Sequence, residues 1–185
     1  HVLDWPLRAV NFLNPDCHFV SGYQAKSIQS SYPEFNYIYN KEWKSTRAGW
    51  SFLSALPEKP KETLASYSDI LFHEATVKNL FKAHGDVVVA IDSQWRSRYL
   101  GRNLKDLKRC EKVCFVKDTI NLLGPNIDIS QANAEFIGLV RFSKKAIEQL
   151  AEIKKLSGSE NTNLKLTNLS HLIDLLRLKG LKITA

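Results

Sequence analysis

Val87-Val88-Val89-Ala90-Ile91 is an unbroken apolar run, and Asp92 follows it directly. A run without polar alternation suits a strand buried on both faces, as in parallel sheets covered by helices. The residues before it read as one such cover. Glu74 to Ala83 is amphipathic, with Val77, Leu80 and Phe81 on one face and Gly85 just past its end. Leu64 to Ser68 reads as a strand ending at Asp69, so strand, helix and strand follow in order. Repeated units of this kind predict an α/β chain built as a three-layer sandwich around a mostly parallel mixed sheet.

The same pattern extends to both ends. Upstream, Asp4 to Leu13 reads as a helix that tolerates Pro6 in its first turn. Cys17 to Ser21 reads as a strand closed by Gly22, Gln24 to Ser30 as a short helix, Phe35 to Tyr39 as a strand, and Ser51 to Leu56 as the start of a helix. Pro57-Glu58-Lys59-Pro60-Lys61 is a surface loop. Downstream, Asp92 to Lys108 has no clear period and reads as a long basic excursion, with strands expected at Glu111 to Val116 and Glu135 to Phe142. Ser143 can cap a helix running to Leu156 and stopping near Gly158, and residues 157–161 read as a flexible connection. Leu166, Leu169, Leu172, Ile173 and Leu176 form the stripe of a last helix ended by Gly180, and Leu181 to Thr184 starts one more strand.

The chain has 185 residues, 44% hydrophobic and 24% charged, a globular composition long enough for a sizeable core. Neither a membrane span nor a signal peptide is visible, so a cytoplasmic protein is expected. Lys and Arg exceed Asp and Glu by 26 to 19, a net charge of +7 that favours anionic partners without choosing among them. The odd cysteine count argues against a disulfide framework. Cys110 and Cys114 share one face of the expected strand, and no nearby Cys or His pair completes a zinc site, so they read as buried thiols. Methionine is absent, for which composition offers no physical account.

Ligands of open α/β sheets sit beyond the carboxyl ends of the strands. Asp69 and Asp92 both stand there. Each suits a magnesium ion, which takes one or two carboxylates plus phosphate oxygens, and each equally suits a helix cap, the commoner role. Between Asp92 and Arg102 the chain gathers Arg96, Arg98 and Arg102 with Trp95 and Tyr99. Those arginines can grip phosphate or phosphonate through paired N–H groups, or belong to a basic surface loop whose aromatics pack inward. Lys112 precedes an apolar strand and can reach phosphates, or forms an ordinary charged pair with Glu111. The histidines have no ligand or catalytic spacing, and no Walker loop, GxSxG or HExxH occurs.

Several segments in chain order resemble nucleotidyltransferases related to phosphocholine cytidylyltransferase, and among them the branch found with phosphoenolpyruvate mutase and acting on aminoethylphosphonate. They are Val2-Leu3-Asp4-Trp5, Phe19 to Tyr23, Tyr39-Asn40 with Trp43, Trp50 to Leu53, Tyr67 to Phe72, the run from Asp92 through Trp95, Tyr99 and Arg102 to Val113, and Ala134 to Leu139 with Phe142-Ser143. The resemblance covers nearly the whole chain and implies a Rossmann-like nucleotide-diphospho-sugar transferase fold. It implies Mg2+ on Asp69, Lys112 and Glu135 as active-site residues, Ser51 and Tyr67 near the base, and Arg96, Arg98 or Arg102 on anionic groups. The implied reaction transfers a cytidylyl group from CTP to a small phosphonate or phosphate acceptor such as 2-aminoethylphosphonate or phosphocholine.

The family also has a glycine-rich loop bearing Arg and Lys, and a closing strand with a second metal carboxylate. The match begins at Val2, downstream of that loop, and ends where the closing strand would start. Residues 1–185 therefore read as a single nucleotidyltransferase domain lacking both features, which by itself is not expected to turn over. UTP or dTTP with a sugar 1-phosphate fits the same chemistry, and a homo-oligomer is compatible with it. The rival from another class is a non-catalytic basic module that binds nucleic acid, supported by the charge and the arginine-aromatic loop. Against it stands the lack of an RNA-binding aromatic motif or recognition helix, and its signature would be affinity falling steeply with salt.

Overall fold

The structure, a computed structural model, describes residues 1–157 and 162–185. The Val87 run forms β4 (Val87–Asp92), and its residues alternate between two apolar clusters. Val88 and Ala90 pack with Val77 and Leu80 of α4 (Glu74–Lys82). Val87 and Val89 pack with Ala146, Ile147 and Leu150 of α6 (Lys144–Ser157) and with Leu172 and Ile173 of α8 (Leu169–Leu178). Both faces of β4 are thus covered, which is why its sequence shows no polar alternation. Each fully buried leucine or isoleucine here contributes roughly 1.5–3 kcal/mol of burial free energy.

Upstream of β4 lie α1 (Asp4–Val10, continued by a 3₁₀ turn), β1 (His18–Ser21), α2 (Ala25–Ser31), β2 (Asn36–Tyr39), α3 (Ala48–Ser54) and β3 (Thr63–Ser66). Beyond β4 come α5 (Leu104–Arg109), β5 (Lys112–Val116), β6 (Thr119–Gly124), β7 (Ala134–Phe142), α6, α7 (Thr162–Lys165), α8 and β8 (Ile183–Thr184). The long excursion after Asp92 thus contains two short helices, a 3₁₀ turn over Trp95–Tyr99 and α5. Cys110 caps α5 and lies outside β5, so it does not share a strand face with Cys114. The expected last helix is two: Leu166 is exposed between α7 and α8, where Asn168 and His171 form a reciprocal cap. Ser143 accepts from the amide of Ala146 and caps α6 as expected. The stop near Gly158 and the flexible connection fall largely on residues 158–161, outside the described residues.

The sheets are mixed. β1 and β2 pair in parallel as a separate two-stranded sheet. The larger sheet has the order β3-β7-β4-β8-β6-β5. The mostly parallel order expected is met at β1–β2 and β4–β8 and interrupted by β7, which runs antiparallel to β3, β4 and β5. Its pairing with β5 returns the circuit through β4, β8 and β6 to itself and closes the sheet. A bulge makes this possible. Val89 faces Val140 and Ile91 faces Phe136, so β7 carries extra residues around Gly138, whose φ is 89°. The kink lets the start of β7 lie between β4 and β5 while its end lies between β3 and β4. No helix among the described residues is long and apolar enough to cross a membrane.

Arg141 of β7 is buried and ties α4 to the sheet. Its guanidinium donates to the carbonyls of Leu80 (2.8 Å) and Ala83 (2.9 Å), at the end of α4, and to Glu62 Oε1 (2.7 Å). A cation there satisfies the last helix carbonyls and opposes the negative end of the helix dipole. Arg141→Met keeps apolar volume and removes every donor, leaving those carbonyls short of partners. The expected loss is about 3 kcal/mol, read as a lower urea midpoint at unchanged slope. A midpoint equal to that of the parent chain would show the contacts to be dispensable.

Candidate active site

The ends of β3 and β4 open onto a cleft of about 640 Å3, lined among others by Asp69, Leu71, Thr76, Asp92, Gln94 and Arg98. Asp69 reaches it because β3 continues one residue past Ser66, where the Tyr67 amide donates to Gly138 O at 2.9 Å, and then turns. Its side chain is exposed and makes no hydrogen bond or ion pair among the described residues. It does not cap α4, whose N-cap is His73. Asp92, the last residue of β4, is differently placed. Its Oδ1 accepts from the Gln94 amide (2.8 Å) and fixes the turn into the 3₁₀ helix, while its Oδ2 pairs with Arg98 Nε (2.8 Å).

Arg98 bridges two carboxylates. Its Nη2 donates to Glu135 Oε2 at 2.5 Å, and Tyr99 donates to Glu135 Oε1 at 2.6 Å. Glu135 is buried at the start of β7, where the register sets it beside Lys112 of β5. Burial, then the bond to Glu135, push the Tyr99 phenol well above its ordinary range, so it stays a donor. Arg98 lines the cleft, and these two carboxylates engage its Nε and Nη2, so its Nη1 is bonded to neither.

The other expected residues are arranged less directly. Lys112 is 1% exposed, and its ammonium donates to the carbonyls of Lys108 (3.0 Å) and Cys110 (3.2 Å). Arg96 donates to Ile129 O (2.7 Å) and Ala132 O (2.8 Å) and lies over Trp95, which ties the loop to the chain before β7. Arg102 is exposed over the Tyr99 ring. Ser51, on α3, accepts from Asn40 Nδ2 at 3.3 Å, away from the residues that line the cleft. Tyr67 turns its hydroxyl to Glu111 Oε2 (2.8 Å), and burial followed by the Glu111 charge raise its pKa. The cleft thus gathers Asp69, Asp92 and Arg98, with Glu135 behind Arg98. Glu111, expected only as a charged neighbour of Lys112, instead accepts from both Tyr67 and Ser170. Its partners lie far away in the chain, and no local pattern marks it.

The fold is shared with solved structures of enzymes named as nucleotidyltransferases or pyrophosphorylases. The inositol-1-phosphate CTP transferase from T. maritima is similar with a TM-score of 0.71 at 17% identity, over 99% of this chain and 71% of that one. A putative glucose-1-phosphate thymidylyltransferase from Bacillus anthracis, in complex with a sucrose, is similar at 0.66 and 9% identity, over 99% of this chain and 72% of that one. A UDP-glucose pyrophosphorylase complexed with UDP-glucose is similar at 0.62 and 11% identity, over 100% of this chain and 79% of that one. No family model and no curated protein matches the sequence.

Proposed function

We propose that this chain serves nucleotidyl transfer in the natural full-length protein, moving the cytidylyl group of CTP to a small phosphonate or phosphate acceptor, with 2-aminoethylphosphonate or phosphocholine as the acceptor type. The observation that carries this reading is the exposed carboxylate of Asp69, without a hydrogen-bond or ion-pair partner among the described residues, in a cleft at strand ends that Arg98 also lines. Both oxygens of Asp69 are available, which fits magnesium. Among the described residues no three His, Cys, Asp or Glu side chains form a ready-made cage, so phosphate oxygens would complete the shell. Bound there, magnesium supplies charge neutralisation and Lewis acidity at the α-phosphate.

This chain's residues orient the rest. An acceptor oxygen, already ionised, attacks the α-phosphorus in line. The new P–O bond forms as the bond to the β-phosphate breaks, and pyrophosphate leaves with its electron pair. Positioning and neutralisation carry the rate, and no protein base is required. Arg98 holds an anionic group of the acceptor through the N–H groups that Asp92 and Glu135 leave open. Glu135 faces an acceptor amine once Arg98 shifts toward the anion. Only the family resemblance puts Ser51 and Tyr67 near the base, since neither lines the cleft; Lys112 adds positive charge behind Glu135.

The names of two similar structures favour a second reading, in which UTP or dTTP is joined to a sugar 1-phosphate. Pyrophosphate release by the natural full-length protein, measured over CTP, UTP and dTTP against 2-aminoethylphosphonate, phosphocholine, inositol 1-phosphate and glucose 1-phosphate, separates the two. The expected result is highest kcat/KM for CTP with 2-aminoethylphosphonate or phosphocholine, at least about tenfold over the other pairs, a difference of roughly 1.4 kcal/mol. Fastest turnover with UTP or dTTP and glucose 1-phosphate would replace the first reading by the second.

A further inference from the structure

We infer that Tyr67, acting through Glu111, is a positioning residue that sets where Asp69 meets the cleft; this rests on the metal role proposed for Asp69. Asp69 has no hydrogen bond of its own among the described residues, so its place is fixed by the chain on either side. Ahead of it, Ile70 and Phe72 pack against the apolar cluster under α4. Behind it, two residues back, Tyr67 is held at three points. Its amide donates to Gly138 O at 2.9 Å, its ring fills the space a Cβ on Gly138 would need, and its hydroxyl donates to Glu111 Oε2 at 2.8 Å.

Glu111 has other partners besides Tyr67. Its Oε1 accepts from Ser170, which is fully buried in the first turn of α8, and its carbonyl accepts from the Phe136 amide at 2.8 Å. The end of β3 is thereby tied to β5, β7 and α8 together. A metal-binding carboxylate keeps its affinity only while the groups behind it hold its geometry, and losing such a support typically weakens metal binding by about 10–100-fold.

The Tyr67–Glu111 bond and the Ser170–Glu111 bond share an acceptor, but only the first touches the segment that carries Asp69. This separates positioning from mere stability. Mn2+ is titrated in the presence of CTP into the natural full-length protein and its variants, with free Mn2+ read by electron paramagnetic resonance and folding by thermal unfolding. Tyr67→Phe and Glu111→Gln are expected to weaken Mn2+ binding about tenfold. Ser170→Ala lowers the unfolding midpoint and leaves Mn2+ affinity within about twofold of the parent. Asp69→Asn removes the tight site. Parent-like Mn2+ binding by Tyr67→Phe and Glu111→Gln, with the site lost in Asp69→Asn, overturns the positioning role and leaves the metal reading standing. Equal weakening by Tyr67→Phe and Ser170→Ala also overturns it, because stability alone would then explain both. Parent-like binding by Asp69→Asn overturns the metal reading and the inference with it.

Discussion

Asp69→Ala, introduced into the natural full-length protein, is expected to lower pyrophosphate release by about 10³-fold or more with little change in stability. The side chain is exposed and makes no hydrogen bond or ion pair among the described residues, so its removal leaves no buried group without a partner. Its proposed contribution is to the transition state, where a carboxylate-held divalent cation stabilises charge by several kcal/mol, and about 4 kcal/mol corresponds to that rate loss. The measurement is coupled-assay turnover at saturating Mg2+, alongside urea unfolding of parent and variant. Turnover within about tenfold of the parent would remove Asp69 from the chemistry.

Gly138→Ala acts on the scaffold. A Cβ at this position would lie 2.3 Å from the Tyr67 ring, and φ is 89°, a conformation that L residues rarely adopt. Backbone strain of about 1–3 kcal/mol adds to overpacking of similar size. The expected loss is about 3 kcal/mol or more, visible as a large drop in the urea midpoint. Tyr67→Ala in the same chain relieves the clash but not the strain. The two changes together should therefore cost less than their separate effects summed, the sign of coupling between neighbours. Strict additivity would show that the ring and the bulge are independent. Because the same bulge lets β7 meet β3, β4 and β5, this variant should also disturb the cleft.

What could be read in the sequence follows from how local the deciding interactions are. β4 and α4 were legible because an unbroken apolar run and a one-sided stripe are direct records of burial. The hairpin of β5 and β6 left no such record. Its turn places Lys117 at φ 57°, without the Asn-Gly or Gly that usually marks this geometry, and a register shift between Cys114 and Phe115 breaks the alternation. The interruption of the parallel order was hidden as well. The direction of β7 and its three-way pairing depend on the Gly138 bulge and on contacts with β3 and β5, all distant in the chain. The split of the last helix had a signal, Asn168 with His171 three residues on, overridden by the continuing leucine stripe.

The candidate site divides in the same way. That Asp69 and Asp92 stand at strand ends is a matter of element boundaries, so both could be placed from pattern alone. Which of them is free could not. Arg98 occupies Asp92 and also reaches Glu135, which lies 37 residues further on. Likewise, nothing local to Arg96 shows that its guanidinium is held by the carbonyls of Ile129 and Ala132, or that Lys112 turns its ammonium to main-chain oxygens. Residue type announces the capacity for a charge contact, and only the folded chain shows which partner takes it.

Calorimetric titration of CTP into the natural full-length protein and its Asp69→Asn variant, each with and without Mg2+, tests the central claim most directly. The parent should bind CTP at least about tenfold more tightly with Mg2+ than without it, and the variant should show no such gain. Equal enhancement by Mg2+ in both proteins would contradict the assignment of Asp69 as the carboxylate that brings metal and nucleotide together.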